Sequence, residues 1–421
     1  MSEWKEYRLG DIADYINRGV TPSYSDEGVI VINQKCVRDG QVKYEQSRYT
    51  NSEKKKISEE KYLKSFDILI NSTGQGTLGR VGQVKKIISP TTVDSHLTIV
   101  RINKNNDPIF LGYVLKSKQS IIEDLAEGTT GQTELSRYKV AELPLVLPDL
   151  PTQTAIAEIL SSLDDKIELN NKINQDLENL AQTLFKQWFI DFEFPNENGE
   201  PYKSSGGEMV DSELGEIPKG WNIESISKLF DFLEGPGLRN WQYKEEGMPF
   251  INIRLIQNGD ILVKNSSFIS IEEFYTKYNH FALKIGDMVV STSGTLGKSA
   301  IVRKSHLPLM LNTSVIRFRA NADNLRCFMY QYLQSNDFLT DLKTQASGSV
   351  QLNFGPMHLN RMRIFSPHQN LLDAYETVVG RLYDTILINR EENQQLTTLR
   401  DTLLPKLISG ELEVSHIQTT S

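Results

Sequence analysis

Cysteine is scarce in this 421-residue chain: only Cys36 and Cys327, far apart, with no Cys-x-x-Cys spacing and no flanking histidine pair. That excludes a disulfide framework and the common zinc arrangements, and two buried thiols are expected. The six histidines are scattered, and none has an i, i+4 partner with which to hold a metal. No run of about 18 apolar residues occurs, so no membrane-spanning helix is expected. The opening MSEWKEYRLG has no apolar signal core, and a cytoplasmic location is the expectation. Positive charge is not in excess either, with 46 Lys and Arg against 54 Asp and Glu, a net of −8. Taken whole, that balance argues against a nucleic-acid partner. What is present is an ordinary globular composition, 39% hydrophobic and 24% charged. At about 150 residues per domain the length implies two or three domains.

The chain repeats itself. FDILINSTGQGTLGRVGQVKK from Phe66 and GDMVVSTSGTLGKSAIVRK from Gly286 both read as an apolar strand, a Ser/Thr-rich turn, Thr-Leu-Gly, a basic residue and a second strand. Asp67 aligns with Asp287 and Arg80 with Lys298. Asn33 and Asn252 stand 219 residues apart, as do Asp39-Gly40 and Asn258-Gly259, and Pro148 and Pro367. The order is globular half, helix, globular half, helix, and two copies of one unit imply a pseudo-two-fold axis within the chain.

The helices carry a heptad-spaced seam. In the first it runs through Leu160, Leu163, Ile167, Asn170, Asn174, Leu177, Ala181, Leu184 and Trp188. In the second it runs through Val379, Leu382, Ile386, Asn389, Asn393, Leu396, Arg400, Leu403 and Leu407. This is the pattern of a coiled coil, and each copy places two asparagines where a polar residue fixes register at some cost in stability. Thr152 to Phe189 as a helix would span roughly 57 Å at 1.5 Å per residue, the length of a spacer. The alternative is that each helix packs only on its own half. Arg400 sits where the first copy has Ala181, so a splayed or solvated helix pair is expected there. The expected boundaries are a first globular module over 1–150, a spacer helix over 151–194, a polar linker over 195–220, a second module over 221–370, a second helix over 371–412 and a tail over 413–421.

Once divided this way, the charge sorts. Residues 1–150 hold 21 basic and 20 acidic groups and 221–370 hold 16 and 12, while the remainder holds 9 basic against 22 acidic. The acidity belongs to the helices and linkers, and two near-neutral to basic modules remain compatible with DNA.

The enzyme motifs fail against the second copy. Gly74-Gln-Gly-Thr-Leu-Gly79 matches a dinucleotide-binding loop, but that fingerprint needs a helix next, and Arg80-Val-Gly-Gln-Val84 alternates like a strand. Thr292 replaces Gly74 in the copy, which also removes the upstream glycine that Gly297-Lys-Ser299 would need as a phosphate loop. Pro148-Asp149 with Asp164-x-Lys166 imitates a nuclease cluster, yet it lies where the seam demands helix. Asp107-Pro-Ile-Phe110 lacks the second proline of a base-methylating loop. The chain reads as a reader rather than a catalyst.

A duplicated reader suits a two-part target on a rod, and DNA offers half-sites about one turn (~34 Å) apart on one face. The candidate contacts lie in three matched loops. They are Asn33, Gln34, Lys35 and Arg38 against Asn252, Arg254 and Gln257; Ser72, Thr73, Gln75, Thr77 and Arg80 against Ser291, Thr292, Ser293, Thr295 and Lys298; and Thr129, Thr130, Gln132, Ser136 and Arg137 against Ser347, Ser349, Gln351 and Asn353. Arg favours guanine edges, Asn and Gln favour adenine edges, and hydroxyls position phosphates. Lys54-Lys-Lys56 is a further phosphate candidate. The same Ser, Thr, Asn and Gly residues are also ordinary turn chemistry.

At this point the residues resemble a family. LPDLPTQTAIAEILSSLDDKIELNNKINQDLENLAQTLFKQWFIDF (Leu147 to Phe192) resembles the central conserved region of type I restriction-modification specificity subunits, and LRDTLLPKLISGEL (Leu399 to Leu412) their C-terminal counterpart. GEIPKGW (Gly215 to Trp221) resembles the entry to the second target-recognition domain. The resemblance implies an α+β fold with two similar target-recognition domains separated by two long antiparallel coiled-coil helices. It implies that each domain binds half of an interrupted double-stranded DNA target while the helices act as a ruler. It also implies two methyltransferase subunits docked on the conserved regions and restriction subunits that complete an ATP-dependent endonuclease. No cofactor is then expected in this chain, with S-adenosylmethionine, ATP and magnesium carried by those partners. Acidic outer helix faces, Glu178 and Glu391 among them, would meet basic patches there. The alternatives are a coiled-coil adaptor for two protein ligands and a specificity subunit whose single partner both methylates and cuts.

Overall fold

The computed structural model describes residues 4–128, 133–293, 296–345 and 354–414. By internal contacts the chain divides into two compact units, residues 1–167 with 395–421, and residues 168–394. Two long helices, Leu150–Phe185 and Gln369–Ile408, each contribute to both units. Among the described residues no helix is long and apolar enough to cross a membrane.

In the first unit a six-stranded sheet runs in the order Ala13–Arg18, Leu97–Ile102, Ile68–Asn71, Val81–Gln83, Gly40–Val42, Val37–Arg38. Ile68–Asn71 is buried at every position, as a central strand covered on both faces must be. A second, four-stranded sheet carries Val29–Ile32, also wholly buried. The second unit repeats the first four strands in the same order: Phe230–Glu234, Val315–Ala320, Met288–Ser291, Ser299–Ile301. In each unit the module's outermost strands pair antiparallel, Lys5–Arg8 with Pro144–Leu147 and Asn222–Ser225 with Arg363–Ser366. The last strand of each module thus ends where its long helix begins. Asp149 accepts a hydrogen bond from the Thr152 N–H at 3.1 Å, a helix cap rather than part of a nuclease cluster.

Both modules contain the same buried clamp. The Asp67 carboxylate is 1% exposed and takes two hydrogen bonds from Arg101, at 2.8 Å from Nε and 2.7 Å from Nη2. It also accepts from the Lys64 N–H at 2.8 Å. Asp287 repeats this with Arg319, at 2.7 and 2.8 Å, and with the Lys284 N–H at 2.7 Å. Each clamp ties a central strand to its antiparallel neighbour and fixes their register.

Within the second unit the helices pair with each other, and antiparallel. Asn170 donates to Asn393 Oδ1 at 2.9 Å and to Glu392 at 2.7 Å, and Asn389 donates to Asn174 Oδ1 at 2.9 Å. Asn170, Asn174 and Ile386 are buried there, while Leu177, Leu184 and Leu382 are half-buried. In the first unit Leu160 and Leu407 are buried in one core, and Leu163, Ile167, Leu396 and Leu403 are half-buried. Arg400 does not splay the helices. Its Nη1 donates to Asp164 at 2.6 Å and its Nη2 to Asp401 at 2.7 Å, so the charge is neutralised inside the seam. Glu178 and Glu391 are likewise committed within the chain, to Arg390 at 2.6 Å and Arg303 at 2.6 Å, rather than facing outward as free acids.

The segment expected as a polar linker is folded. After Phe185 the helix ends in a wider turn over Lys186–Ile190, and Met209–Ser212 pairs with Gly215–Pro218. Phe194 stacks on Tyr202 and Trp221, with ring centroids at 4.6 and 5.6 Å. Burying these aromatics outweighs the flexibility that the Ser-Gly run suggests.

Removing the carboxylate of Asp67 leaves Arg101 largely buried and unpaired. Asp67→Ala is therefore expected to lower unfolding stability by about 3 kcal/mol. Denaturant unfolding of the variant checks this, and a loss below 1 kcal/mol would count against the clamp.

Candidate nucleic-acid interface

Two turns per module carry most of the predicted contacts, and in each the side chains divide into those that build the turn and those that face solvent. In the first turn Asn33 accepts from the Lys35 N–H at 2.9 Å and donates to the Gln46 carbonyl at 2.6 Å. Asn252 accepts from the Arg254 N–H at 2.9 Å. These bonds hold short helical turns over Gln34–Cys36 and Ile253–Leu255, with Cys36 and Leu255 inward and Lys35 and Arg254 outward. Asp39 and Asn258 then adopt left-handed φ values of 56° and 51°, each followed by glycine at 77° and 73°. Two successive positive φ angles make a hairpin turn that Asp-Gly and Asn-Gly favour, and it leaves Arg38 and Gln257 exposed. Arg38 donates to the Lys35 carbonyl at 3.2 Å and Gln257 to the Arg254 carbonyl at 2.8 Å, so both lie along their own turn. The side-chain oxygen of Gln34 is buried without a hydrogen-bond partner among the described residues.

The second turn joins the two clamp-adjacent strands. Asn71 and Ser291 each accept, at the backbone carbonyl, from Gly79 and Gly297. A strand, Val81–Gln83 or Ser299–Ile301, follows each glycine-rich turn, so no helix terminus is offered to a pyrophosphate. Three predicted contacts are corrected here. Ser72, Ser291 and Thr292 are buried. The Ser72 hydroxyl bonds that of Thr98 at 2.7 Å, and the Ser291 hydroxyl accepts from the Lys298 N–H at 2.9 Å. They hold the turn and cannot reach a ligand. Thr73 is bonded to His96 Nδ1 at 2.6 Å, Thr77 to the Gly74 carbonyl, and Arg80 Nη2 to the Gly76 carbonyl at 2.8 Å. Gln75 and Lys298 are exposed, and Ser293 is half-buried.

Of the third pair of loops, Ser136 caps a short helix through the Lys139 N–H, and the exposed Arg137 donates to Asn17 at 2.8 Å. Thr129, Thr130, Gln132, Thr295, Ser347, Ser349, Gln351 and Asn353 lie outside the described residues. Lys54, Lys55 and Lys56 are exposed. Asp107 caps the helix Pro108–Ser117 through the N–H groups of Ile109 and Phe110, each at 2.9 Å, which explains the Asp-Pro without any methylating loop.

The structure brings two of the second module's turns together. Arg254, Gln257, Asn258, Lys298 and Ser299 line one open groove of about 440 Å³. Cations and amides on one groove can meet phosphates and base edges. Sequence reasoning missed the residues that orient these turns, Arg101, Arg319 and His96, because their partners are distant in the chain.

Arg254→Ala and Lys298→Ala are expected to weaken DNA binding on every sequence and to flatten its salt dependence by roughly one unit of slope each. Ser291→Ala should instead cost about 1 kcal/mol of stability with the salt slope unchanged. Binding titrations across a salt series separate the two outcomes.

Known proteins resemble this chain over nearly its full length. The family model described as the type I restriction modification DNA specificity domain matches residues 1–179 and again 218–371. The specificity subunit of the type I restriction enzyme HindI from Haemophilus influenzae is 27% identical, over 98% of this chain and all of that protein. That of MjaVIII from Methanocaldococcus jannaschii is 25% identical over 99% and 94%. A crystal structure of a type I restriction-modification S subunit from M. genitalium shares the fold, with a TM-score of 0.60, 18% identity and 96% of each chain covered.

Proposed function

Because this chain belongs to the type I restriction-modification DNA specificity family, we infer that its two modules each read one part of an interrupted double-stranded DNA sequence. The chain is the DNA sequence-specificity subunit of such a system and acts with methyltransferase and restriction subunits. The observation that carries the two-part reading is the duplication itself. Each module has the same four-strand order, the same aspartate–arginine clamp and the same asparagine-capped turn, and each turns a cation outward at the same place, Lys35 in one and Arg254 in the other. Equivalent surfaces presented twice suit a target with two parts.

On this reading the chain makes and breaks no covalent bond. Its exposed turns fix register through phosphates and choose bases through groove edges. Two methyltransferase subunits flank it, and the base to be methylated leaves the stack into their pocket rather than into this chain. S-adenosylmethionine, ATP and magnesium are then cofactors of the partner subunits, and the assembly works on DNA in the cytoplasm.

Mapping N6-methyladenine across the genome of cells that express the chain with its methyltransferase tests this. The expected result is a two-part motif with a fixed gap that disappears when the chain is deleted. Exchanging residues 221–370 for those of a relative should change one half of the motif only. An unbroken motif indifferent to the deletion would overturn the assignment.

A further inference from the structure

Several buried and half-buried arginines of the two units are matched to carboxylates. Arg101 has Asp67, Arg319 has Asp287, Arg303 has Asp260 and Glu391, and Arg400 has Asp164. Lys116, on the helix Pro108–Ser117 of the first module, is half-buried and has no ion-pair or hydrogen-bond partner among the described residues. Its side chain lies across the Asp39-Gly40 turn so closely that a Cβ on Gly40 would stand 2.5 Å from its methylenes and 2.7 Å from Nζ. It lines a cavity of about 320 Å³ together with Gln41, Gln83, Lys85 and Arg400.

The carboxylates at this cavity are already engaged. Asp164 accepts from Tyr113 OH at 2.6 Å and from Arg400 at 2.6 Å, and Asp165 pairs with Lys85 at 3.2 Å. Asp39 pairs loosely with Lys43 at 3.5 Å through a side chain that is 83% exposed. Burial pushes the Lys116 ammonium below the usual lysine range and the charge of Arg400 adds to this, outweighing the opposing pull of Asp164, Asp401 and Asp39. A desolvated cation whose neighbouring carboxylates do not offset its burial is held at a cost that a bound anion lowers. The second module does not repeat the feature, since Gln331 and Ser335 stand 219 residues on from Gly112 and Lys116.

We propose that this cavity of the first module is a binding site for a small oxyanion of the phosphate class, with the Lys116 ammonium as its counter-ion and Arg400 beside it. The anion would join a helix of the recognition module to the C-terminal helix, and so couple the reading domain to the spacer within the first unit. The cavity is bounded by the Asp39-Gly40 turn, next to Arg38 of the candidate DNA interface, and failure of the anion site would leave the sequence-reading role standing.

Lysine acylation by an N-hydroxysuccinimide ester, read peptide by peptide on the full chain bound to its methyltransferase subunits, is the test. Inorganic phosphate at constant ionic strength should slow labelling of Lys116 several-fold in a saturable way and leave the exposed Lys54 unchanged. Phosphate should also raise the melting temperature of the wild type and of Lys116→Arg, but not of Lys116→Gln. Equal slowing at both lysines, or a phosphate-dependent rise retained in Lys116→Gln, would overturn the site. Protection of Lys116 by a DNA duplex with none by inorganic phosphate would also overturn it, in favour of a backbone contact.

Discussion

A carboxylate that cannot reach water must keep its cation, and each recognition module is organised around one such demand. Asp67 and Asp287 are both 1% exposed, and each is spanned by an arginine from the neighbouring strand and by a backbone N–H three residues upstream. The geometry is that of a bidentate fork, which fixes orientation as well as distance. A one-residue slip of strand register would point the arginine to the opposite face and strand both charges. The turn that follows each clamp is therefore set in place before any of its own side chains contribute. Arg101 also donates to the carbonyl of Tyr62 at 2.9 Å, so the loop entering the strand is tied to the same point.

The parts of this architecture that repeat along the chain were legible in the sequence. The Phe66 and Gly286 segments announced the duplication, and the heptad spacing announced the paired helices with asparagines at Asn170, Asn174, Asn389 and Asn393. Contacts between distant residues were not legible. Asp67 and Asp287 could be aligned, but nothing in the local pattern pointed to Arg101 and Arg319, 34 and 32 residues on. The same gap accounts for Arg400. Read as a charge on an apolar seam it predicts splaying, whereas Asp164, 236 residues away, makes it a paired seam residue. Ser72 and Ser291 failed for a related reason: a serine at a loop and a serine closing a loop have one signature, and only burial separates them.

The asparagines show how a polar seam can be specific. Asn170 pairs with Asn393, and Asn174 with Asn389. Adding 219 to the first member of either pair gives the second member of the other. The two contacts are thus exchanged copies of each other, and a shift of one helix by a turn would leave amides facing apolar side chains with their hydrogen bonds unmade.

The division of labour within the exposed turns has an evolutionary consequence. Asn33, Asn252, Ser72 and Ser291 spend their hydrogen bonds on the chain itself, whereas Lys35, Arg254 and Lys298 are exposed and contribute little to the core. Changes at solvent-facing positions are usually worth less than half a kcal/mol. A lineage under pressure to recognise a new sequence can therefore drift through such positions almost freely. The framework stays constant while the preference encoded on it diverges.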